Sequence, residues 1–160
     1  MECGIGFADL SDFTRLTRMS TADELSKLLN EFSGMAADVV NADGGRVVKF
    51  IGDAVMWVSA TPELLAKAAL DLVRHPRVLA SDVQVRAGLS YGEVLATGGD
   101  YFGSPVNLAA RLVAAAQPGQ ILVAAPWCNI PEDWPIQVQE PLTLKGFDEP
   151  ITAYQLCDRL

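Results

Sequence analysis

The stretch GRVVKFIGDAVMWVS, residues 45–59, contains two runs of β-branched and aromatic residues that a glycine-containing turn separates. This pattern predicts a β-hairpin. Lys49 and Asp53 stand four residues apart, but Gly52 interrupts the run, so the two charges flank the turn at the edge of the predicted sheet. Taken alone, the stretch favours a solvated hairpin tip with a weak surface ion pair, worth about 0–1 kcal/mol.

The sequence before this hairpin predicts a strand and then a long helix. Residues 3–9, CGIGFAD, form a short apolar run that ends on an acid, and LSDFT at 10–14 is typical of a loop that opens a helix. In residues 21–40 the apolar positions recur at helical spacing. Thr21 and Glu24 supply a capping box, and NADGG at 41–45 supplies the stop.

After the hairpin, predicted helices and strands alternate. The segments are a helix at 61–75 capped by Thr61 with Pro62 at its first position, two strands at 83–97 about a Tyr91–Gly92 turn, a loop at 98–103, a helix at 104–116, a strand at 121–125, an irregular segment at 126–135 and two strands around a turn at 136–156. No linker, composition shift or internal repeat interrupts this order. We therefore expect one α/β domain over residues 1–160, with a mixed sheet.

Composition and charge restrict the classes of function. A chain of 160 residues that is 50% hydrophobic and 20% charged suits one globular domain that buries a sizeable core. The chain has no apolar run of bilayer length and no signal-peptide pattern at its start, so we expect a cytoplasmic protein without a membrane segment. The net charge of −8 argues against nucleic acid as the main partner. A small anionic ligand would therefore need metal ions held by carboxylates, or a few placed cations.

The cysteines and the single histidine point to structural roles. Cys3, Cys128 and Cys157 are far apart and form no CxxC pair, which favours buried small hydrophobes over disulfides or a zinc site. His75 lies at a predicted helix end before Pro76. We expect it to contact the C-terminal end of that helix dipole, and we expect no catalytic role for it.

Two acids follow predicted strands and could bind a cation. Asp9 closes the first strand and Asp53 lies in the hairpin turn. Carboxylates from adjacent strands suit Mg²⁺, which commonly takes one or two protein carboxylates together with phosphate oxygens and water. The loop that follows Asp9 could present backbone amides to a phosphate. The alternative is that Asp9 or Asp12 simply caps the next helix.

Further candidates are polar side chains on a helix and single cations beside strands. Asn107 and Arg111 are four apart in the predicted helix, so they share one face and could contact an anion or a developing oxyanion. Arg86 and Lys145 are single cations that could instead protect a sheet edge. In isolation, ordinary surface roles are favoured for all four. The sequence contains no P-loop, dinucleotide fingerprint or GxSxG element.

The three segments FADLSDFT (7–14), KFIGDAV (49–55) and DYFGSPVNLAAR (100–111), together with the late LKG turn, occur in one order along the chain. This combination resembles the catalytic domain of class III nucleotidyl cyclases and is most similar to actinobacterial adenylate cyclases. The resemblance covers nearly the whole chain. It implies an α/β (α+β) fold of the ferredoxin-like or polymerase-palm type, in which helices pack on a mixed sheet.

The resemblance also implies a role for each candidate residue. Two Mg²⁺ or Mn²⁺ ions would be held by the side chains of Asp9 and Asp53 and the carbonyl of Leu10. ATP would be bound by the amides of Phe13 and Thr14 and by Arg86 and Lys145 at its phosphates, and by Lys49 and Asp100 at its adenine. Asn107 would orient the ribose and Arg111 would meet charge on the phosphate.

In such cyclases the active sites lie between two chains, so the resemblance implies a head-to-tail homodimer with two shared sites. Asp53 would then bind metal in one site while Lys49 of the same hairpin reads adenine in the other. Asp12 stands where many relatives have glycine, and its carboxylate would repel the triphosphate unless it points away or caps the helix.

The implied reaction converts ATP to 3′,5′-cyclic AMP and pyrophosphate by a two-metal mechanism. One alternative is a guanylate cyclase, although guanine-selecting relatives usually carry Glu at the position of Lys49. Another is a catalytically silent domain that binds nucleotide or only dimerises. The last alternative is an α/β interaction domain with solvated edge charges, which nucleotide would not stabilise against heat.

Overall fold

The computed structural model describes residues 1–124 and 134–157 of the chain. These residues form nine strands and five helices. The strands are β1 (Glu2–Leu10), β2 (Arg46–Ile51), β3 (Ala54–Ser59), β4 (Val85–Glu93), β5 (Leu95–Thr97), β6 (Asp100–Phe102), β7 (Ile121–Ala124), β8 (Ile136–Val138) and β9 (Ala153–Leu156). The helices are α1 (Phe13–Met19), α2 (Ala22–Ala42), α3 (Pro62–Val73), α4 (Pro76–Leu79) and α5 (Ser104–Ala115).

Seven strands form one mixed sheet in the order β2-β3-β1-β4-β7-β9-β8. Only the β4–β7 pair in this sheet is parallel. The first four strands in this order, with α2 and α3 as connections, have the β-α-β-β-α-β arrangement of ferredoxin-like folds. The predicted mixed α/β sheet is therefore confirmed. The remaining strands, β5 and β6, form a separate two-stranded ribbon.

Helices cover both faces of the sheet. Side chains alternate along β1, so that Ala8 and Leu10 pack toward α2 and α3 whereas Ile5 and Phe7 pack toward α5. Helix α5 lies very close to β4, because a Cβ added at Gly88 would be 2.4 Å from the backbone nitrogen of Val113. A glycine in β4 thus fixes how closely α5 approaches the sheet.

The capping signals read from the sequence are confirmed. The Thr21 hydroxyl accepts from the Glu24 amide at 3.2 Å, and the Glu24 carboxylate accepts from the Thr21 amide at 3.0 Å. The Thr61 hydroxyl caps α3 by accepting from the amide of Leu64 at 3.2 Å, without a reciprocal side-chain bond. Local chemistry therefore sets the start of both long helices.

Two predictions between residues 83 and 103 are wrong. Tyr91 and Gly92 form no turn, because β1 is long enough to pair with β4 through both residues, which face Gly4 and Cys3. The predicted loop at 98–103 contains β6, which pairs with β5 across a turn at Gly98 and Gly99, where φ is 60° and 78°. These positive φ angles, which glycine adopts at little cost, permit the tight turn.

His75 also differs from expectation. It caps the N-terminus of α4, a short helix that the sequence analysis missed, and its Nδ1 accepts from the Arg77 amide at 3.2 Å. Pro76 lies in the first turn of α4, where the φ that its ring imposes favours a helix start, so a new helix begins where the previous one was expected to end.

Cys3 is buried and Cys157 is partly buried, and both are free thiols. Cys128 and residues 126–133 of the predicted irregular segment lie outside the described residues. Within the part of the chain that the structure describes, no helix combines the length and the apolar character that crossing a bilayer requires.

Candidate active site

Asp9 and Asp53 lie close together at the ends of neighbouring strands. Asp9 is opposite Ala54 in the β1–β3 pair, and Asp53 directly precedes Ala54 in the hairpin turn. Burial raises the pKa of the Asp53 carboxyl, and the negative charge of Asp9 raises it further. Both acids line a cleft of about 670 Å³. The structure thus brings together the two side chains that the sequence suggested as metal ligands.

The loop after β1 forms one wall of this cleft. Leu10, Phe13 and Thr14 all line it. Asp12 lines it as well and occupies the cap position of α1 with φ 60° and ψ 30°, but its side chain makes no capping hydrogen bond. The expected side-chain cap at Asp12 is therefore absent. The buried hydroxyl of Ser11, at the same wall, has no hydrogen-bond partner among the described residues.

The cleft is also lined by two cationic side chains that were not among the residues predicted from the sequence. They are Arg15 and Arg18, three residues apart on α1. Residues three apart on a helix share a face. The spacing of Arg15 and Arg18 in the helix after β1 could therefore have indicated that both side chains lie on one surface. They add positive charge beside two carboxylates.

Arg86, expected to contact phosphate, is engaged by protein groups. It lies directly opposite Asp9 in the β1–β4 pair. Its Nε donates to Asp9 Oδ1 at 2.7 Å and its Nη2 donates to Oδ2 at 3.3 Å. Its Nη1 donates to the carbonyls of Ala114 and Ala116, each at 3.2 Å, near the end of α5. One guanidinium therefore joins the first acid to the C-terminal end of α5.

Lys49 and Asp100, the two residues expected to read the base, form an ion pair. Lys49 Nζ lies 2.8 Å from Asp100 Oδ2, and Asp100 Oδ1 accepts from the Tyr101 amide at 2.8 Å. The Lys49 ammonium, followed by the Tyr101 amide, lowers the pKa of the Asp100 carboxyl. The ion partner of Lys49 is thus Asp100 and not Asp53, so the surface pair expected from the hairpin alone is wrong.

Arg46 and Tyr101, which the sequence analysis did not single out, make a second contact beside this pair. Arg46 Nη2 donates to the Tyr101 hydroxyl at 2.7 Å. The guanidinium carbon lies 5.4 Å from the centre of the Tyr101 ring, within the range of a cation–π contact.

The remaining predicted residues are exposed. Asn107 and Arg111 lie four residues apart on α5, and Lys145 lies in a turn between β8 and β9. None of these three, nor Lys49 or Asp100, is among the described residues that line the cleft of Asp9 and Asp53. The predicted site residues therefore form two groups in one chain: six that line the cleft and five that do not.

The donors in the cleft fit a divalent cation of the magnesium type. Asp9 and Asp53 offer carboxylate oxygens, and Leu10, whose peptide carbonyl could add a ligand, lines the same cleft. Burial, followed by the negative charge of Asp9, raises the pKa of Asp53, and a bound cation would offset both effects. The described residues contain no group of three or more His, Cys, Asp or Glu side chains placed to hold a metal. Mg²⁺ accepts such a sparse set, because water and phosphate oxygens complete its octahedron.

Comparisons with known proteins identify the family to which the chain belongs. Residues 1–158 match a family model described as the adenylate and guanylate cyclase catalytic domain. An uncharacterised protein of Mycobacterium tuberculosis is 64% identical over 156 residues, which cover 98% of this chain and 41% of that protein. An adenylate cyclase of Glutamicibacter nicotianae is 37% identical over 158 residues, which cover 95% of this chain and 38% of that protein. The chain spans about two fifths of the length of these relatives.

A solved structure supports the same fold. The adenylyl cyclase CyaB from P. aeruginosa has a TM-score of 0.87 and 24% sequence identity, and the match covers 99% of this chain and 95% of that chain. The family model matches nearly the full sequence. This chain therefore belongs to the family of class III adenylate and guanylate cyclase catalytic domains.

Proposed function

We propose that residues 1–160 form an adenylate cyclase catalytic domain that converts ATP to 3′,5′-cyclic AMP and pyrophosphate. The observation that carries the proposal is the convergence of Asp9 and Asp53 on one cleft in a chain of the cyclase family. ATP and Mg²⁺ are cytoplasmic solutes, so we assign the activity to the cytoplasm.

The preference for ATP is supported by the ion pair of Lys49 and Asp100. An ammonium donates and a carboxylate accepts, and adenine offers ring-nitrogen acceptors beside an exocyclic amino donor. Guanine carries a carbonyl acceptor in place of that amino group. The Asp100 carboxylate, which is also an acceptor, could form no hydrogen bond with it. The G. nicotianae relative is named an adenylate cyclase, which agrees with this preference.

Asp9, Asp53 and the Leu10 carbonyl would hold the ions. When bound, two Mg²⁺ or Mn²⁺ ions lower the pKa of the ribose 3′-hydroxyl and neutralise charge on the triphosphate. The amides of Phe13 and Thr14 would donate to phosphate oxygens, since they lie at the start of α1. The 3′-oxygen forms a bond to the α-phosphorus as the bond to the pyrophosphate oxygen breaks, and the hydroxyl proton leaves to solvent.

Three cationic side chains and the side-chain amide of Asn107 would contact the substrate during this reaction. Lys145 would stabilise the departing pyrophosphate, and Arg86 would do so by exchanging its bonds to Asp9 for phosphate oxygens. Arg111 would stabilise charge that develops on the transferred phosphate. Asn107 lies one helical turn from Arg111 on the same face of α5. When Arg111 contacts the phosphate, the amide of Asn107 would be placed to orient the neighbouring ribose.

A homodimer with shared sites is supported by the separation of the two groups of residues within one chain. A second copy, placed head to tail, would bring Lys49, Asp100, Asn107, Arg111 and Lys145 to the cleft of the first. The β2 edge and the β5–β6 ribbon expose large apolar side chains at Phe50, Ile51, Leu95 and Phe102. Such side chains suit a surface that a partner covers.

The direct test is a product assay. The purified chain is incubated with ATP and Mn²⁺, or with GTP and Mn²⁺, and the cyclic nucleotide is quantified by chromatography. We expect cyclic AMP from ATP, a much lower rate with GTP, and no product from Asp53→Asn. Cyclic GMP as the main product would support the guanylate cyclase alternative, and no product with either nucleotide would refute the proposal.

A further inference from the structure

The β5–β6 ribbon carries Asp100 but lies outside the seven-stranded sheet. Its two strands have three residues each and pair only with one another. A two-stranded ribbon of this size is marginally stable by itself. The position of Asp100 therefore depends on what anchors the ribbon to the rest of the domain.

A β-bulge in β2 supplies two anchoring side chains on one face. Arg46 is opposite Val58 and Lys49 is opposite Met56, so Val48 is an extra residue in the ladder. Residues three apart in a regular strand point to opposite faces, whereas one extra residue restores them to the same face. Val58 and Met56 both belong to the α5-side cluster. Arg46 and Lys49 thus project together toward the face on which the ribbon lies.

The two cations hold adjacent residues of β6. Lys49 bonds to Asp100, and Arg46 bonds to the hydroxyl of Tyr101 and lies near its ring. The Tyr101 amide donates to the Asp100 carboxylate, which links the two contacts. The ring of Tyr101 also packs against the α5-side cluster.

The two contacts differ in what a nucleotide would do to them. Lys49 and Asp100 are the residues that would turn to the purine, and an exposed ion pair of this kind is weak. Arg46 and Tyr101 have no assigned contact with the base, so their hydrogen bond can persist while Lys49 and Asp100 exchange partners. The Arg46–Tyr101 hydrogen bond, together with the packing of the Tyr101 ring, can therefore hold the ribbon while a nucleotide binds.

We propose that Arg46 and Tyr101 are positioning residues, which hold the β5–β6 ribbon against β2 and so keep Asp100 at the place where it distinguishes adenine from guanine. This inference rests on the proposed function for its effect on selectivity. The attachment of the ribbon is independent of any activity.

The experiment uses three variants. Arg46→Met removes the donor and the charge but keeps an apolar stem of similar length, and Tyr101→Phe removes the hydroxyl but keeps the packed ring. Arg46→Lys restores a positive charge and a donor. Arg77→Met, an exposed arginine on α4, and Tyr154→Phe, on β9, are the matched controls.

Two readouts separate attachment from selectivity. Hydrogen–deuterium exchange of residues 95–102 without nucleotide reports whether the ribbon is held. The ratio of kcat/KM for ATP to that for GTP, with Mn²⁺, reports selectivity. For Arg46→Met and Tyr101→Phe we expect faster exchange in this segment and an ATP:GTP ratio about three- to tenfold lower, as loss of one hydrogen bond commonly causes.

The lower ATP:GTP ratio is expected to come mainly from a higher KM for ATP, with kcat changed little. Arg46→Lys is expected to restore part of the ratio. The controls are expected to match the wild type. Unchanged exchange would overturn the attachment, and faster exchange with an unchanged ATP:GTP ratio would overturn the role in selectivity. If the wild type cyclises neither nucleotide, the proposed function fails and the selectivity role falls with it, while the exchange data still decide the attachment.

Discussion

Arg86 and Asp9 face each other across β1 and β4, with the guanidinium Nε 2.7 Å from the carboxylate Oδ1. The same guanidinium bonds to two carbonyls near the end of α5. Arg86 thus compensates a largely buried acid and attaches the helix that carries Asn107 and Arg111. When no metal ion is bound, Arg86 balances the negative charge of the Asp9 carboxylate.

Arg86→Met is expected to lower the free energy of unfolding by about 2 kcal/mol. The substitution leaves the carboxylate of Asp9, whose side chain is only 16% exposed, without its charged partner, and it removes the bonds to α5. Urea unfolding in metal-free buffer measures the change. Arg77→Met, which removes an exposed arginine, is expected to be near neutral. Equal stability of the two variants would show that the Asp9 pair contributes nothing.

Asp53→Asn is expected to raise the melting temperature at neutral pH in metal-free buffer. Burial and the charge of Asp9 raise the pKa of Asp53 from 3.8, so the folded chain binds its proton more tightly than the unfolded chain does. The wild type therefore loses stability as pH rises from 3.8 through the raised pKa, whereas the Asn variant has no such loss. Thermal melts from about pH 3 to pH 8 measure the difference.

In the same melts, Mn²⁺ is expected to stabilise the wild type and to have a much smaller effect on Asp53→Asn. Asp38→Asn, at an exposed position on α2, is the control and is expected to respond to Mn²⁺ as the wild type does. A normal Mn²⁺ response in Asp53→Asn would contradict the assignment of Asp53 as a metal ligand.

Asn107→Ala and Arg111→Ala are each expected to lower kcat by roughly 10²-fold or more, as loss of one charge-stabilising donor commonly does. Both side chains are exposed in the single chain, so the melting temperature is expected to change little. Steady-state kinetics and thermal melts on the same samples measure both quantities. Arg77→Ala serves as the control, and a comparable fall in kcat there would discount the effect at Arg111.

Mixing Asp53→Ala with Arg111→Ala tests whether two chains share each site. Both variants are expected to be inactive alone. At equal concentrations roughly half of the dimers are mixed, and each mixed dimer has one intact site, so we expect roughly a quarter of wild-type activity. Recovery of no activity, in a sample shown by light scattering to be dimeric, would argue against shared sites.

Asp12→Gly and Asp12→Asn separate backbone strain from charge. At φ 60° a residue with a Cβ is disfavoured, so Gly is expected to stabilise the fold by about 0.5–1 kcal/mol. Asn tolerates this conformation as Asp does and is expected to leave stability unchanged. Both remove a carboxylate from the cleft and are expected to lower the KM for ATP about two- to fivefold. An unchanged KM in both would mean that the carboxylate points away from the triphosphate.

Local signals in the sequence were sufficient to predict the long helices α2, α3 and α5 and the pair of acids, but not the short helix α4. The capping residues at Thr21 and Thr61 act within one turn, so short-range chemistry predicts where their helices begin. The hairpin at 46–59 and the alternation of helices and strands likewise follow from periodicity. The Tyr91–Gly92 turn was wrong because strand length there depends on pairing with β1, a partner more than 80 residues away.

The amino-acid sequence alone specifies which side chains are available: two acids at the ends of strands, and an Asn and an Arg on one helical face. It also contains three motifs whose order along the chain predicts the family. The partners of these side chains depend on the three-dimensional fold. Lys49 meets Asp100 and Arg46 meets Tyr101 because a bulge at Val48 sets the face of β2, and Arg86 meets Asp9 because the β1–β4 register places them opposite. Such pairings follow from strand register and bulges, which long-range packing fixes and no local propensity encodes.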